Sequence, residues 1–311
     1  MEMKYRGIFG SPQEPLFNDE KHGVPPDILK EWLVNLDRQN TICAEKSNVK
    51  QGFFYRSDAI TFIFNTCAKL EVPIKVKYYA VELFERFMTK HVQDLYNHMK
   101  TTSSQTKQKD WNEVLDRVQN QLLLRLVSCC QIASKITSHY KVISAKKARY
   151  FLRDLGLKYS STSILQSELR VLKTLDFNVM ETTPLVYMET ILEILGYNDP
   201  CLSVKSYHTV ALKVLDVVYL KKTQVYQELF LVIAKQTTPS ISDRAAFIHV
   251  KCDKMFLAIS VLTAAVYIID QPMTDKVIDH LNKITNRPCD DILDFATVIV
   301  QCVMEGSVNN D

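Results

Sequence analysis

The sequence predicts an all-α protein made of two tandem five-helix units, and three observations predict it. Only 7 Gly and 10 Pro occur in 311 residues, while Leu, Ile, Val, Lys and Glu are plentiful, which favours helices over a turn-rich β protein. Two segments, Leu122–Ile136 (LLLRLVSCCQIASKI) and Lys254–Ile269 (KMFLAISVLTAAVYII), are apolar or small around most of a helical circumference. That is the pattern of a central helix with neighbours on all sides. The third observation is a recurrence. Helical segments starting near 59, 80, 122 and 164 are echoed near 185, 208, 254 and 291, each offset being about 130 residues. Both series place the all-round apolar helix third.

The elements follow in order. Residues 1–27 hold three Gly and four Pro without periodicity and are expected to be a flexible tail. Its Ser11-Pro12 dipeptide is a candidate phosphorylation site. Asp27 can cap a short helix, Ile28–Asn40, with Leu29, Trp32, Leu33 and Leu36 on one face; it is expected to pack on the first unit. Ser57 or Asp58 caps Ala59–Leu70, which Pro73 ends. Lys77–Met99 follows. Thr101–Asp110 has no apolar residue and is expected to be an exposed loop or partly disordered insertion.

In Leu122–Ile136 the polar side chains Arg125, Ser128, Gln131 and Lys135 are three, three and four residues apart, one stripe of a helix. This seam is where function is sought. Ser144 caps Ala145–Leu155, which Gly156 stops. Ser161–Leu175 completes the first unit. Thr183-Pro184 opens the second with a helix, Leu185–Leu195, stopped at Gly196. Helices Val204–Leu220 and Tyr226–Ala234 come next, then a polar loop at Thr237–Asp243 containing Pro239, then Lys254–Ile269. Thr274 caps Asp275–Ile284, and a last helix runs from Asp290 or Asp291 to about Met304. The expected domains are therefore the tail 1–27, a first unit with its preceding helix at 28–181, a second unit at 182–304, and a tail at 305–311.

Composition excludes several function classes. The net charge of +3 predicts no strong attraction to nucleic acid or to an anionic membrane. Lys141, Lys146, Lys147 and Arg149 cluster beside Tyr140 and Tyr150, but a solvated helix face is the preferred reading, and direct nucleic-acid binding is not expected. No run of 18 apolar residues and no signal peptide appear, so a membrane role is not expected. The eight cysteines form no C-x-x-C pair and suit a reducing, intracellular setting. Phosphate-loop, zinc-protease and nucleophile-elbow motifs are absent. His249 and Cys252, one helical turn apart, are only two potential metal ligands. Cys129 and Cys130 lie on the predicted core helix, where a thiol is a poor nucleophile. No catalytic residue, metal site or cofactor is expected.

The segment Leu122–Ile136 ends in Gln131-Ile132-Ala133-Ser134-Lys135. It resembles the cyclin-box signature, an apolar helix ending in Leu-Ala-Ser-Lys. Leu165, Glu168, Leu172, Leu175 and Phe177, followed by Thr183-Pro184, resemble the second cyclin signature. Glu85-Arg86-Phe87 resembles the aspartate-arginine-phenylalanine run of another cyclin helix. Cyclin boxes are five-helix units around a central third helix and often come in pairs. Residues 80–88, 124–135 and 167–198 together resemble a branch of cyclin-like proteins of animal meiosis.

The resemblance implies a non-catalytic factor that acts in germ-cell nuclei, with a cyclin-dependent kinase and meiotic recombination factors as partners. It implies a role in maturing recombination intermediates into crossovers. It further implies that Lys135 and Glu168 face the kinase, with Ile132, Ile136, Leu172, Phe177 and Val179 supplying apolar surface. Two departures stand out. Where cyclins follow that Lys with an aromatic and two acidic residues, this chain has Ile136-Thr137-Ser138. The methionine-arginine-alanine-isoleucine-leucine docking run is not readable around Tyr55–Ile63. Two alternatives remain open: a scaffold of the same fold that activates no kinase, and a nucleic-acid-binding factor of that fold.

Overall fold

The computed structural model describes residues 15–19, 23–45, 52–101, 107–138, 140–234 and 241–308. Fourteen α-helices lie among them, and no strand. In chain order they are α1 (Pro26–Glu45), α2 (Ser57–Lys69), α3 (Ile74–Thr101), α4 (Lys107–Asn120), α5 (Leu122–Thr137), α6 (Ala145–Asp154) and α7 (Ser161–Thr174). Then come α8 (Pro184–Asn198), α9 (Val204–Leu220), α10 (Lys222–Ala234), α11 (Ile241–Cys252), α12 (Lys254–Ile269), α13 (Thr274–Thr285) and α14 (Cys289–Val308). The described parts of residues 50–181 form one unit, and those of 1–49 and 182–311 form the other.

The first unit is organised around α5. From Leu124 to Ser134 it is buried at every position but Arg125, and α2, α3 and α7 pack along it with α6 at one end. The small residues Ser128, Cys129, Cys130, Ala133 and Ser134 let these helices approach closely. In the second unit α12 is buried continuously from Met255 to Val266, surrounded by α8, α9, α13 and α14. Its own hydroxyls turn back on the helix: Ser260 donates to the Phe256 carbonyl and Thr263 to that of Ile259. Both units insert extra helix between their second and third helices. The insertion is α4 in the first and α10 with α11 in the second.

Several expectations are corrected. The helix α1 belongs to the second unit, where it contacts α8, α11 and α12. Its inward face is Leu29, Leu36 and Asn40, and Trp32 is exposed. Asn40 explains the docking. Its amide donates to Asp253 Oδ1 at 2.8 Å, and its Oδ1 accepts from the Lys254 amide at 2.9 Å. Asp253 in turn caps α12 by accepting from the Phe256 amide at 2.7 Å and pairs with Arg287 at 2.6 Å. Thus α1 reaches across more than 200 residues of sequence to satisfy amides at the start of the central helix that have no partner within it.

The tail is not uniformly loose. The Asn18 backbone amide donates to the Glu193 carboxylate, and its side-chain amide donates to the Glu193 carbonyl at 2.8 Å. Phe17 stands edge-on to His208. Gly196 does not stop α8, which runs on to Asn198. A Cβ at Gly196 would lie 1.9 Å from Asn18 Oδ1, so its bareness admits the incoming segment. Ser11-Pro12 lies outside the described residues.

Residues 107–110, expected as loop, begin α4, whose Trp111 meets Tyr96 edge-on. Residues 241–243, also expected as loop, begin α11. Neither Ser57 nor Asp58 is the N-cap of α2; Arg56 holds that place, without a side-chain bond. Thr183 and Met273 precede α8 and α13, again without a side-chain capping bond, and Thr274 is the first residue of α13. Ser144 does cap α6, and Gly156 (φ +81°) follows that helix.

Two predictions follow from this arrangement. Asn40→Ala takes one donor from a buried carboxylate and the acceptor from the first amides of α12, and is expected to lower unfolding stability by about 1–3 kcal/mol, read as a lower urea midpoint. Trp32→Ala, on the exposed side of the same helix, leaves the midpoint within about 0.5 kcal/mol of the parent. The second concerns His91, which stacks on Phe87. Burial, with Arg125 and Arg170 nearby, pushes its pKa down to about 4. The unfolded chain takes up this proton near pH 6.5 and the folded chain does not. Stability carried by neutral His91 is therefore lost as pH falls from about 6.5 to about 4. Urea midpoints across that window should fall less steeply for His91→Gln than for the parent.

Candidate protein-binding surface

The polar stripe of α5 has a definite use. Arg125 donates to Ser167 Oγ of α7 at 2.7 Å, and Ser128 Oγ lies 2.7 Å from the same hydroxyl. Ser134 accepts from the Ile143 amide at 2.9 Å. At the end of the stripe the Lys135 ammonium binds Glu168 of α7. Most of the seam is thus an internal lock between α5 and α7, and Lys135 is where it reaches solvent. Glu168 is 7% exposed, although its partner Lys135 is open to water. Burying a carboxylate is costly unless it is paired. Lys135 therefore stabilises Glu168 inside the rim while keeping charge on the outside.

The rim continues beyond α7. The helix closes with a Schellman motif: the Asp176 amide donates to the Lys173 carbonyl at 3.1 Å and the Phe177 amide to the Leu172 carbonyl at 2.8 Å. Asp176 and Phe177 both have positive φ, +51° and +58°. Left-handed backbone is unusual for a bulky residue, and the surroundings must impose it. Here α3 supplies the restraint. Arg86 donates to the Asn178 carbonyl at 2.8 Å and pairs with Glu181 at 3.1 Å. Tyr79 donates to the Val179 carbonyl and accepts from the Glu181 amide, and Lys90 pairs with Asp176. The turn is strapped down at both ends, and Phe177 is held 61% exposed.

The residues singled out in the sequence divide accordingly. Lys135 and Glu168 are in contact. Ile136, Leu172 and Val179 are half-buried, and Phe177 projects. Ile132, expected on this surface, is 3% exposed and belongs to the core; one turn back from the helix end, it is covered by the packing around α5. Met180, 71% exposed, was not singled out and adds apolar surface beside Phe177 in sequence. The Tyr79, Arg86 and Lys90 straps were also missed, because a tie to a loop about 90 residues away leaves no local pattern. Arg86 lies in the run that the sequence marked, but its role there was not legible.

Burial raises the Cys129 thiol far above its ordinary pKa; a hydrogen bond with Cys67, and then burial, raise that of Cys130. Both stay protonated and unreactive. Among the described residues no three His, Cys, Asp or Glu side chains are grouped to hold a metal ion. His249 donates through Nδ1 to the Ala44 carbonyl at 3.1 Å. The second unit has an open depression of about 450 Å³ lined by Ser203, Ser206, Tyr207 and Asp270. There the Tyr207 hydroxyl donates to Asp270 at 2.8 Å, and burial together with this bond pushes the Tyr207 pKa up to about 12.

Replacing Lys135 with Met leaves the buried Glu168 carboxylate unpaired and is expected to destabilise by about 1–3 kcal/mol. The double variant Lys135→Met/Glu168→Met should recover most of that loss, as measured by chemical denaturation of the four members of the cycle.

Residues 29–180 match the family described as Cyclin, N-terminal domain. The chain is 32% identical over 279 residues to the mouse (Mus musculus) protein named cyclin N-terminal domain-containing protein 1, covering 89% of this chain and 84% of that relative. The human (Homo sapiens) protein of the same name gives the same identity and coverage. Among solved structures, the X-ray structure of a viral cyclin from herpesvirus saimiri aligns with a TM-score of 0.55 at 12% identity, over 88% of this chain and 96% of that one. At that identity the likeness is one of fold.

Proposed function

Because the chain belongs to the cyclins, in the family of cyclin N-terminal domain-containing protein 1, we propose that it is a regulatory, non-catalytic protein that binds a cyclin-dependent kinase. The binding surface is the rim of α5, α7 and the turn after it. Lys135 and the edge of Glu168 supply its charge, Phe177 is its main anchor, and Ile136, Leu172 and Val179 are its apolar border. The observation that carries the reading is Phe177 itself. A large aromatic side chain held out in left-handed backbone by three straps gains nothing for the monomer and suits an interface. Aromatic anchors dominate binding energy in such interfaces.

The proposed place of action is the germ-cell nucleus, where the protein promotes maturation of recombination intermediates into crossovers. That part rests on the resemblance of residues 80–88, 124–135 and 167–198 to cyclin-like proteins of meiosis. Tagged at its own locus, the protein should form foci on meiotic chromosomes, and a diffuse signal outside the nucleus would count against this.

Phe177→Asn tests the surface, because Asn tolerates left-handed backbone and the fold is retained. Binding to a panel of purified cyclin-dependent kinases should weaken at least tenfold, about 1.4 kcal/mol, with helicity and unfolding midpoint unchanged. Equal affinity for parent and variant would overturn the assignment. A second reading is favoured by Ile136-Thr137-Ser138. Thr137 donates to the Ala133 carbonyl and Ser138 accepts from the Lys141 amide, so these positions are tied into the fold and offer no carboxylates to a basic kinase loop. In that reading the protein recruits partners without activating the kinase. Phosphorylation of a generic substrate by the purified complex separates the two.

A further inference from the structure

We infer that the outward face of α6 is a binding site for the phosphate backbone of duplex DNA, contacted without regard to sequence. The chain as a whole is near neutral, but residues 141–158 carry six Lys or Arg against one Asp, leaving the rest net acidic. The structure arranges this charge. The helix buries Ala148, Phe151 and Leu152 against the first unit. Opposite them, Lys146, Arg149 and Arg153 fall on one stripe, spaced three and four residues apart. At about 1.5 Å per residue these cations step along the axis by about 4.5 and 6 Å, a row that meets a line of phosphates better than a single carboxylate.

Folding does not account for this row. Among the described residues no carboxylate pairs with Lys146, Lys147 or Arg149, and the one contact of Arg153, to Asp154, is loose at 3.9 Å. Like charges three and four apart on a helix repel. Lys146 and Lys147 also sit in the first turn, where the helix dipole disfavours cations and where α6 has no acidic residue. A polyanion relieves both penalties. The row is also ordered. Arg149 and Arg153 lie 5.5 and 4.8 Å from the centroid of the exposed Tyr150 ring, a cation–π arrangement that holds two guanidinium groups in place. The stripe carries no aliphatic side chain that could anchor an acidic peptide, so the backbone of a nucleic acid is the better fit. The site lies apart from Lys135, Glu168 and Phe177 in sequence and shares no residue with them.

The test is a fluorescence-anisotropy titration of a labelled duplex of about 20 base pairs with the full chain, between about 50 and 200 mM salt. Weak binding is expected, with a slope of log K against log salt of about −3, as three phosphate contacts would give. Lys146→Gln/Arg149→Gln/Arg153→Gln changes only exposed side chains, and its helicity is checked by circular dichroism. It should bring the slope close to zero, while Phe177→Asn leaves it as in the parent. An absent response in the parent, or a triple variant that keeps the parent's slope, overturns the proposal. So does binding of a single strand or a poly-glutamate peptide at this stripe when the duplex does not bind. None of these outcomes bears on the kinase surface, which Phe177→Asn reports separately.

Discussion

A helix buried on every side must find partners for whatever polar groups it carries, and this protein depends on meeting that demand twice. α5 brings Ser128 and Gln131 into the interior of the first unit and half-buries Arg125. If unpaired, each would cost of the order of 1–3 kcal/mol. Ser167 and Glu168 of α7 meet most of this stripe, while the Gln131 amide reaches only the Ile143 carbonyl at 3.5 Å and its Oε1 is left without a partner among the described residues. The polar seam thereby fixes which helix lies beside α5 and in what register. Apolar packing alone would fix neither so sharply, since hydrophobic contact is not directional.

α12 solves the same problem by other means. Its polar side chains bond to their own helix, so no seam selects its neighbours. The demand moves to its N-terminus, where the first amides are buried. Asp253 satisfies one and Asn40 another. Because Asn40 also binds Asp253, α1 is bound to the second unit by the most exacting polar contact in it. The carboxylate of Asp253 is shared among Asn40, the Phe256 amide and Arg287, so three donors compensate the charge it brings inside.

The parts of this fold legible in the sequence are those set by local pattern. Leu122–Ile136 and Lys254–Ile269 announced themselves because burial all round leaves an unmistakable composition, and the helix-breaking Gly156 did so because left-handed closure favours that residue. α4 was hidden because its first four residues are polar and, from residue 111 onward, only Trp111, Val114 and Val118 are half-buried. The periodicity of α1 showed that it packs, but not against what. The lone Asn40 on its apolar face was the available clue, since a buried amide implies a specific partner. At the rim, Lys135 and Glu168 were legible through a motif. The display of Phe177 was not, because left-handed backbone at Asp176 and Phe177 leaves no trace in residue type.

The rim combines a rigid part and a variable part, and this division bears on what a partner can read. Glu168, Tyr79 and Arg86 are tied to atoms of the unit itself, so the turn bearing Phe177 is set before any partner arrives. A preset anchor spares the ordering entropy that a mobile loop would lose on binding. Charge around it is a separate matter. Lys135 is already engaged with Glu168, and Ile136-Thr137-Ser138 adds no carboxylate. Long-range electrostatic steering at this rim is correspondingly small. On the proposed function, affinity at this rim comes from shape and apolar burial around Phe177, and specificity from a partner pocket for that ring. The densest run of positive charge in this unit lies elsewhere, on α6.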